Sequence, residues 1–195
     1  MQTIQEQEEK FEVDSDWVMP QIEELLPDGV QFELYTELES VPPYNEDRDT
    51  DDSPVEAVHL REAIETADAV LVATPEYNGS VPGQLKNAVD WASRPHRVSA
   101  LWGKPVAVVG ASTGMFGAVW AQAELRKVLK TAGARVVETE VAVGKADSRF
   151  DAEGEKSSRG KAERSVVETA HRVVEQPGRE QLIGRRKAGS KLLKF

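Results

Sequence analysis

Two glycine-bearing loops hold the residue types best suited to chemistry in this chain. The first, Thr74-Pro75-Glu76-Tyr77-Asn78-Gly79-Ser80-Val81-Pro82-Gly83, offers backbone N–H and C=O groups, an aromatic face at Tyr77 and an amide at Asn78. Pro75 and Pro82 restrict its shape, and the set suits a flat heterocycle with a polar edge. The second, Gly110-Ala111-Ser112-Thr113-Gly114-Met115-Phe116-Gly117, combines small residues with hydroxyls ahead of a helix, whose first N–H groups favour electron-rich atoms. Neither spacing is the dinucleotide GxGxxG or the phosphate-loop GxxxxGK. Tight structural turns would use the same residue types, so the residues alone leave ligand site and turn open.

Other chemistries find less support. His59, His96 and His171 are isolated, with no metal-ligand partner at helical spacing, so no metal site is expected. Ser112 does not stand in a G-x-S-x-G elbow, and no histidine can be placed beside it for acyl transfer. Lys86, Asn87 and Asp90 read as the polar face of a helix or a subunit contact beside Trp91 rather than as the site of a catalytic lysine, and Trp102 and Trp120 as core or interface rather than substrate stacking. The basic turn Arg94-Pro95-His96-Arg97 could meet nucleotide phosphates, although a solvated turn has the same composition.

The elements that must position these loops follow from hydrophobic patterning. Residues 69–73 and 106–109 are β-branched-rich runs without polar alternation, as in strands covered on both faces by helices. Each run feeds one of the glycine loops and then a helix, the first through Trp91 and the second to about Thr131, closed by Ala132-Gly133. Upstream, the alternation over 30–34 predicts a half-buried strand, 37–54 an exposed acidic loop and 55–66 a helix. Residues 15–26 read as a short helix capped by Ser15 or Asp16, and 1–14 as disordered or weakly extended. Downstream, 135–143 reads as one strand, 144–157 as turns and 161–174 as a terminal helix. Strand, loop and helix in this rhythm predict a doubly wound parallel α/β fold over 15–175, followed by a basic tail over 176–195.

Composition sets the outer limits. The 195 residues carry 39% hydrophobic and 30% charged side chains, enough for one core and one domain. There is no cysteine, which removes disulfides, thiolate chemistry and iron–sulfur clusters and fits a cytoplasmic location. No apolar run approaches the roughly 18 residues that span a bilayer, and the first ten residues lack the features of a secretory signal, so no membrane association is expected. Net charge is −10 and uneven: residues 1–68 hold 21 acids against three bases, and the basic excess lies downstream, so the two halves should attract. Six bases between Arg179 and Lys194 have no interleaved aromatics, which disfavours nucleic acid as a partner and fits a solvated, frayed tail.

The motifs themselves carry a resemblance. Residues 74–91, opening on Pro75-Glu76-Tyr77-Asn78 and closing on Asp90-Trp91, and residues 104–117, ending in the second glycine loop, resemble the NADPH-dependent FMN reductase family, which includes quinone, chromate and azo-dye reductases. Pro42-Pro43-Tyr44-Asn45 is similar to a further family segment. The resemblance implies a flavodoxin-like fold, FMN as cofactor and NADPH or NADH as reductant. It also implies ping-pong hydride transfer to a quinone, free flavin or similar small-molecule acceptor, and assembly as a homodimer or homotetramer. By motif position, Pro75, Glu76, Tyr77 and Asn78 would border the isoalloxazine ring, largely through backbone, while Ser112, Thr113, Gly114 and Gly117 would lie near its far edge or the nicotinamide approach. No catalytic side chain is implied, because the cofactor carries the hydride.

One family feature is missing. The family opens with a hydrophobic strand and a G-S-x-R-x-x-S-x-N loop that holds the FMN phosphate, whereas here no glycine precedes Gly29 and the first arginine is Arg48. That strand would lie between 30–34 and 69–73, and its loss predicts unpaired backbone or an altered sheet. Three readings follow: an N-terminally incomplete reductase, a member that has lost FMN affinity, or one that fills the gap with residues 1–13 or the basic tail. The rival functional class is a non-catalytic binding or oligomerisation protein on the same scaffold.

Overall fold

Alternation within the apolar runs decides how the sheet is covered. In the computed structural model, which describes residues 30–145, 168, 169, 172 and 190–195, six strands form one sheet. They are β1 (Val30–Leu34), β2 (Ala69–Thr74), β3 (Pro105–Ala111), β4 (Arg135–Val136), β5 (Ala142–Val143) and β6 (Ser190–Lys194). The order is β1-β6-β2-β3-β4, β5 also pairs with β3, and every pairing is parallel. Val70, Val72, Val106, Val108 and Leu193 point to one face, where helices α1 (Val55–Thr66), α2 (Gly83–Ala92) and α3 (Val119–Thr131) bring Leu60, Ile64, Leu85, Trp91, Leu125 and Leu129. Ala69, Leu71, Ala107, Val109 and Leu192 point to the other face, with Val137, Val141 and Val143. This is the period-2 rule of a strand applied to a sheet buried on both sides.

The strand expected to be missing is present, and it comes from the C-terminal side. β6 lies between β1 and β2, with Val30 opposite Ser190, Leu34 opposite Lys194 and Ala69 opposite Leu192. The gap between β1 and β2 is therefore closed by the end of the basic tail, as in the third reading of the missing strand, so that 190–194 belongs to the sheet rather than to a frayed tail. The ladder continues past the strand: Tyr35 N–H donates to the Lys194 carbonyl at 2.9 Å, Phe195 N–H to Leu71 at 3.1 Å and Ala73 N–H to Phe195 at 2.9 Å. At the other end Asp68 accepts the Lys191 N–H through Oδ2 at 2.7 Å, while its own N–H donates to the Lys191 carbonyl at 2.8 Å. Leu192 and Leu193 are fully buried on opposite faces, and Lys191 pairs with Glu33. The attraction between acidic and basic halves is realised at that ion pair.

Two further expectations need correction. The single strand over 135–143 is split, because five residues of β3 (Val106 to Gly110) are faced by seven from Val136 to Ala142. The extra residues bulge outward, and their side chains meet α3: Glu138 pairs with Lys130 at 2.6 Å and Glu140 with Arg126 at 3.2 Å. The acidic loop 37–54 is exposed over most of its length but is anchored at Val41, which is buried. Asn87 accepts the Tyr44 N–H at 2.7 Å and donates to the Pro42 carbonyl at 2.9 Å, and the Trp91 indole N–H donates to the same carbonyl at 2.8 Å. Arg61 completes the anchor by bonding Asp49 at 2.7 Å and the Trp91 carbonyl at 3.0 Å. The expected N-terminal segments, 1–14 and 15–26, lie outside the described residues. So do the turns after Lys145, most of 161–174, and the tail before Ser190.

Candidate functional site

Both glycine loops leave the carboxyl ends of adjacent parallel strands, β2 and β3, where open α/β sheets place their ligand crevice. In the first loop Tyr77 and Ser80 exchange backbone hydrogen bonds of 3.1 and 3.0 Å across Asn78 and Gly79. Those two residues have φ of +53° and +72°. Consecutive positive φ angles are the reason an Asn-Gly pair stands there, since they define the tight turn that reverses the chain in two residues. The turn projects Tyr77, 63% exposed, outward with Asn78 beside it. Pro75 is exposed and Glu76 partly so.

The Glu76 carboxylate turns away from the turn's open side. Its Oε2 accepts the backbone N–H of Trp120 at 3.0 Å and of Ala121 at 3.1 Å, at the start of α3. α3 has no local side-chain cap, because its N-cap is Ala118 in the left-handed region. Glu76 thus serves orphan donors of a helix distant in sequence. A second carboxylate reaches back: Glu124 Oε2 accepts Ser80 Oγ–H at 2.6 Å and Val81 N–H at 3.3 Å. These bonds hold the Glu124 carboxyl below the usual carboxylate range, the Ser80 hydroxyl having the largest influence. A lowered carboxylate pKa means that this contribution is present above the unfolded-state pKa and is lost as pH falls through the folded one. Acid titration followed by carboxyl NMR is therefore expected to place Glu124 below a free glutamate, and Ser80→Ala to return it upward.

The second loop is built against the end of β5. Ser112 N–H donates to the Val143 carbonyl at 3.0 Å, and Lys145 N–H to the Gly114 carbonyl at 2.8 Å. Gly117 is buried with φ +58°, and a side chain there would press on the backbone of Ala142 and Val143. Ser112 is partly exposed, while Thr113 and Gly114 are exposed, and a Cβ on Gly114 would meet nothing closer than Ser112 Oγ at 3.5 Å. Met115, Phe116 and Trp120 are also exposed, and the two aromatic rings meet edge to face at 5.1 Å. Trp120, expected in core or interface, therefore stands on the surface of the described residues beside the loops.

The structure brings residues 75–78 and 112–114 to the carboxyl end of two interior strands and packs Gly117 beneath them. Sequence reasoning missed Gln122, which is fully buried, donates to the Gly117 carbonyl at 3.0 Å and fills the space a side chain on Gly110 would need. A glutamine among Ala121, Leu125 and Leu129 on the inner stripe of α3 was the available signal. Lys86 makes an ion pair with Asp90 at 2.6 Å on the outer face of α2, as a polar helix face would. Among the described residues no group of acidic or histidine side chains is arranged to hold a metal ion.

The model of the NADPH-dependent FMN reductase family matches residues 15–148, which include both loops and β1 to β5. The chain belongs to this family. It is 44% identical over 131 residues to an NAD(P)H-dependent FMN reductase of Pseudomonas aeruginosa, covering 67% of this chain and 70% of that protein. It is 40% identical over 131 residues to a 2-hydroxy-1,4-benzoquinone reductase of a Burkholderia species, with the same coverage. Among solved structures, the flavoenzyme NAD(P)H:(acceptor) oxidoreductase FerB of Paracoccus denitrificans superposes with a TM-score of 0.68 at 34% identity, over 81% of this chain and 86% of that one. The flavodoxin-like architecture is thereby shared with a flavoenzyme. β6 lies outside the segment that the family model matches, so the central strand is the part of this sheet that family membership does not account for.

The FMN reductase site can be tested part by part against these residues. For the flat ring, the residues fit: 75–78 and 112–114 are exposed or half-exposed, Gly79 and Gly114 are small, and aromatic side chains stand exposed at the rim. For the phosphate, the glycine-serine-arginine loop that the family places after its central strand has no counterpart among the described residues.

Proposed function

We propose that this protein is an NAD(P)H-dependent, FMN-mediated two-electron reductase of quinones, flavin or similar small-molecule acceptors. The observation that carries the reading is the pairing of the two loops at the carboxyl ends of β2 and β3, fastened to each other through α3 while their outer faces stay open. Bound FMN supplies the hydride chemistry between NAD(P)H and acceptor. The chain's own contribution is orientation. Backbone groups of Pro75, Glu76, Tyr77 and Asn78 would border the ring, and Ser112, Thr113, Gly114 and Gly117 would lie near its far edge or the nicotinamide approach, the buried Gly117 by fixing that loop from below. The exposed side chains of Tyr77, Met115, Phe116 and Trp120 offer an apolar rim for a planar acceptor. An open rim selects by shape and stacking rather than by a buried polar pair, which suits several acceptors.

The same reading includes a homodimer or homotetramer and a cytoplasmic location. The catalytic unit would be the flavodoxin-like domain over residues 15–175 together with the strand β6. No helix among the described residues is long and apolar enough to cross a membrane. A second reading, a non-catalytic binding or oligomerisation protein on this scaffold, is favoured by one observation, the lack of a phosphate loop among the described residues.

An FMN titration of the purified chain, followed by flavin fluorescence and absorbance with NADPH oxidation measured in the same samples, separates the two. Micromolar or tighter binding with flavin-dependent turnover is expected. A folded protein that binds no FMN at high concentration would leave the non-catalytic reading.

A further inference from the structure

We propose that Glu76 and Glu124 are positioning residues that clasp the Tyr77–Ser80 turn to the first turns of α3, so that both loops present one fixed wall to the FMN ring. The inference rests on the reductase reading. Its geometry is reciprocal, because Glu76 reaches from the first loop to the helix and Glu124 from the helix to the first loop. Glu76 Oε2 takes the N–H groups of Trp120 and Ala121 at 3.0 and 3.1 Å, and Glu124 Oε2 takes Ser80 Oγ–H and Val81 N–H at 2.6 and 3.3 Å. The two anchor points flank the turn on both sides.

Capping alone does not explain the arrangement. A serine, threonine or aspartate at the N-cap would satisfy the first N–H groups of α3 locally, yet the N-cap is Ala118 and the acceptor is more than forty residues away. A remote acceptor does something a local one cannot: it fixes the distance between the chain leaving β2 and the chain leaving β3. Both contacts lie at the amino-terminal end of α3: the Trp120 and Ala121 N–H groups open from its first turn, and the Glu124 side chain stands one turn further on. Because α3 starts immediately after the second loop, any shift of its first turn carries Gly114 to Gly117 with it. The clasp also explains why an acid stands between Pro75 and Tyr77 without its carboxylate facing the open side of the loop.

The test combines FMN affinity with amide hydrogen exchange in Glu76→Ala, Glu76→Gln and Glu124→Ala. Hydrogen bonds to a carboxylate are strong enough that losing the pair at Glu76 should weaken FMN binding about tenfold. Glu76→Gln keeps an oxygen acceptor and should restore most of that loss. Exchange should quicken at Trp120 and Ala121 and across residues 77–81 in Glu76→Ala, and at residues 80–81 in Glu124→Ala, a surface change that leaves the core intact. Unchanged exchange in these variants, or faster exchange with wild-type FMN affinity, overturns the proposal. A wild-type chain with no FMN affinity would sink the reductase reading instead, and the exchange pattern would then decide by itself whether the two loops are clasped.

Discussion

Ending the chain at Gly189 is expected to abolish cooperative unfolding, whereas removing a comparable number of surface residues would leave it intact. β6 fills the gap between two strands: β1 pairs with it on one side and β2 on the other. Without it, two strands about 10 Å apart would face each other across unpaired N–H and C=O groups, since adjacent strands sit about 4.7 to 4.9 Å apart. Leu192 and Leu193 are both 0% exposed, one on each face of the sheet. Each truncation to alanine should cost about 2–5 kcal/mol, against a total stability for such domains of about 5–15 kcal/mol. Leu192→Ala and Leu193→Ala should therefore lower the urea midpoint substantially one at a time, and the deletion should show no native baseline by circular dichroism. An unchanged midpoint for the deletion would mean that β1 and β2 close directly on each other.

A single methyl at Gly117 should have the next largest effect. With φ at +58°, any L-residue there carries backbone strain of about 1–2 kcal/mol. The added Cβ would also stand 2.5 Å from Val143 N and 2.6 Å from the Ala142 carbonyl carbon, both backbone atoms of β5 that cannot rotate aside. Overpacking of this kind adds about 1–3 kcal/mol, so Gly117→Ala should cost about 2–5 kcal/mol and unseat the second loop. Gly114→Ala, three residues earlier, meets only Ser112 Oγ at ordinary contact distance and should be nearly neutral for stability. Denaturant midpoints of the two variants, with FMN affinity measured on each, give the comparison. Equal midpoints would show that β5 yields to the second loop.

Much of the frame was legible in local pattern because local physics determines it. The helix over 55–66 ends where the structure ends it, at Thr66, and the apolar runs 69–73 and 106–109 are buried central strands. Ala132-Gly133 indicated a helix end, and Gly133 has φ of +90°. Family membership was legible for the same reason, as the two loop motifs are contiguous stretches of chain.

What local pattern did not reach was pairing over long separations. Ser190 lies opposite Val30, a partnership that no window of neighbouring residues contains, and Ser190-Lys191-Leu192-Leu193-Lys194 has too few apolar residues to stand out from a basic tail. It becomes a buried strand because a slot between β1 and β2 offers hydrogen bonds along both edges and a place for one leucine on each face. The bulge over 137–141 depends likewise on the spacing of β3, and the role of Glu76 on the position of a helix that begins over forty residues later. By itself, then, the sequence determined the elements from Val30 to Thr131, the two loops and the family, all properties of short segments. The tertiary structure decided which segment completes the sheet and where each carboxylate of the site is directed, because hydrogen-bond partners and packing neighbours are set by the folded geometry of distant segments.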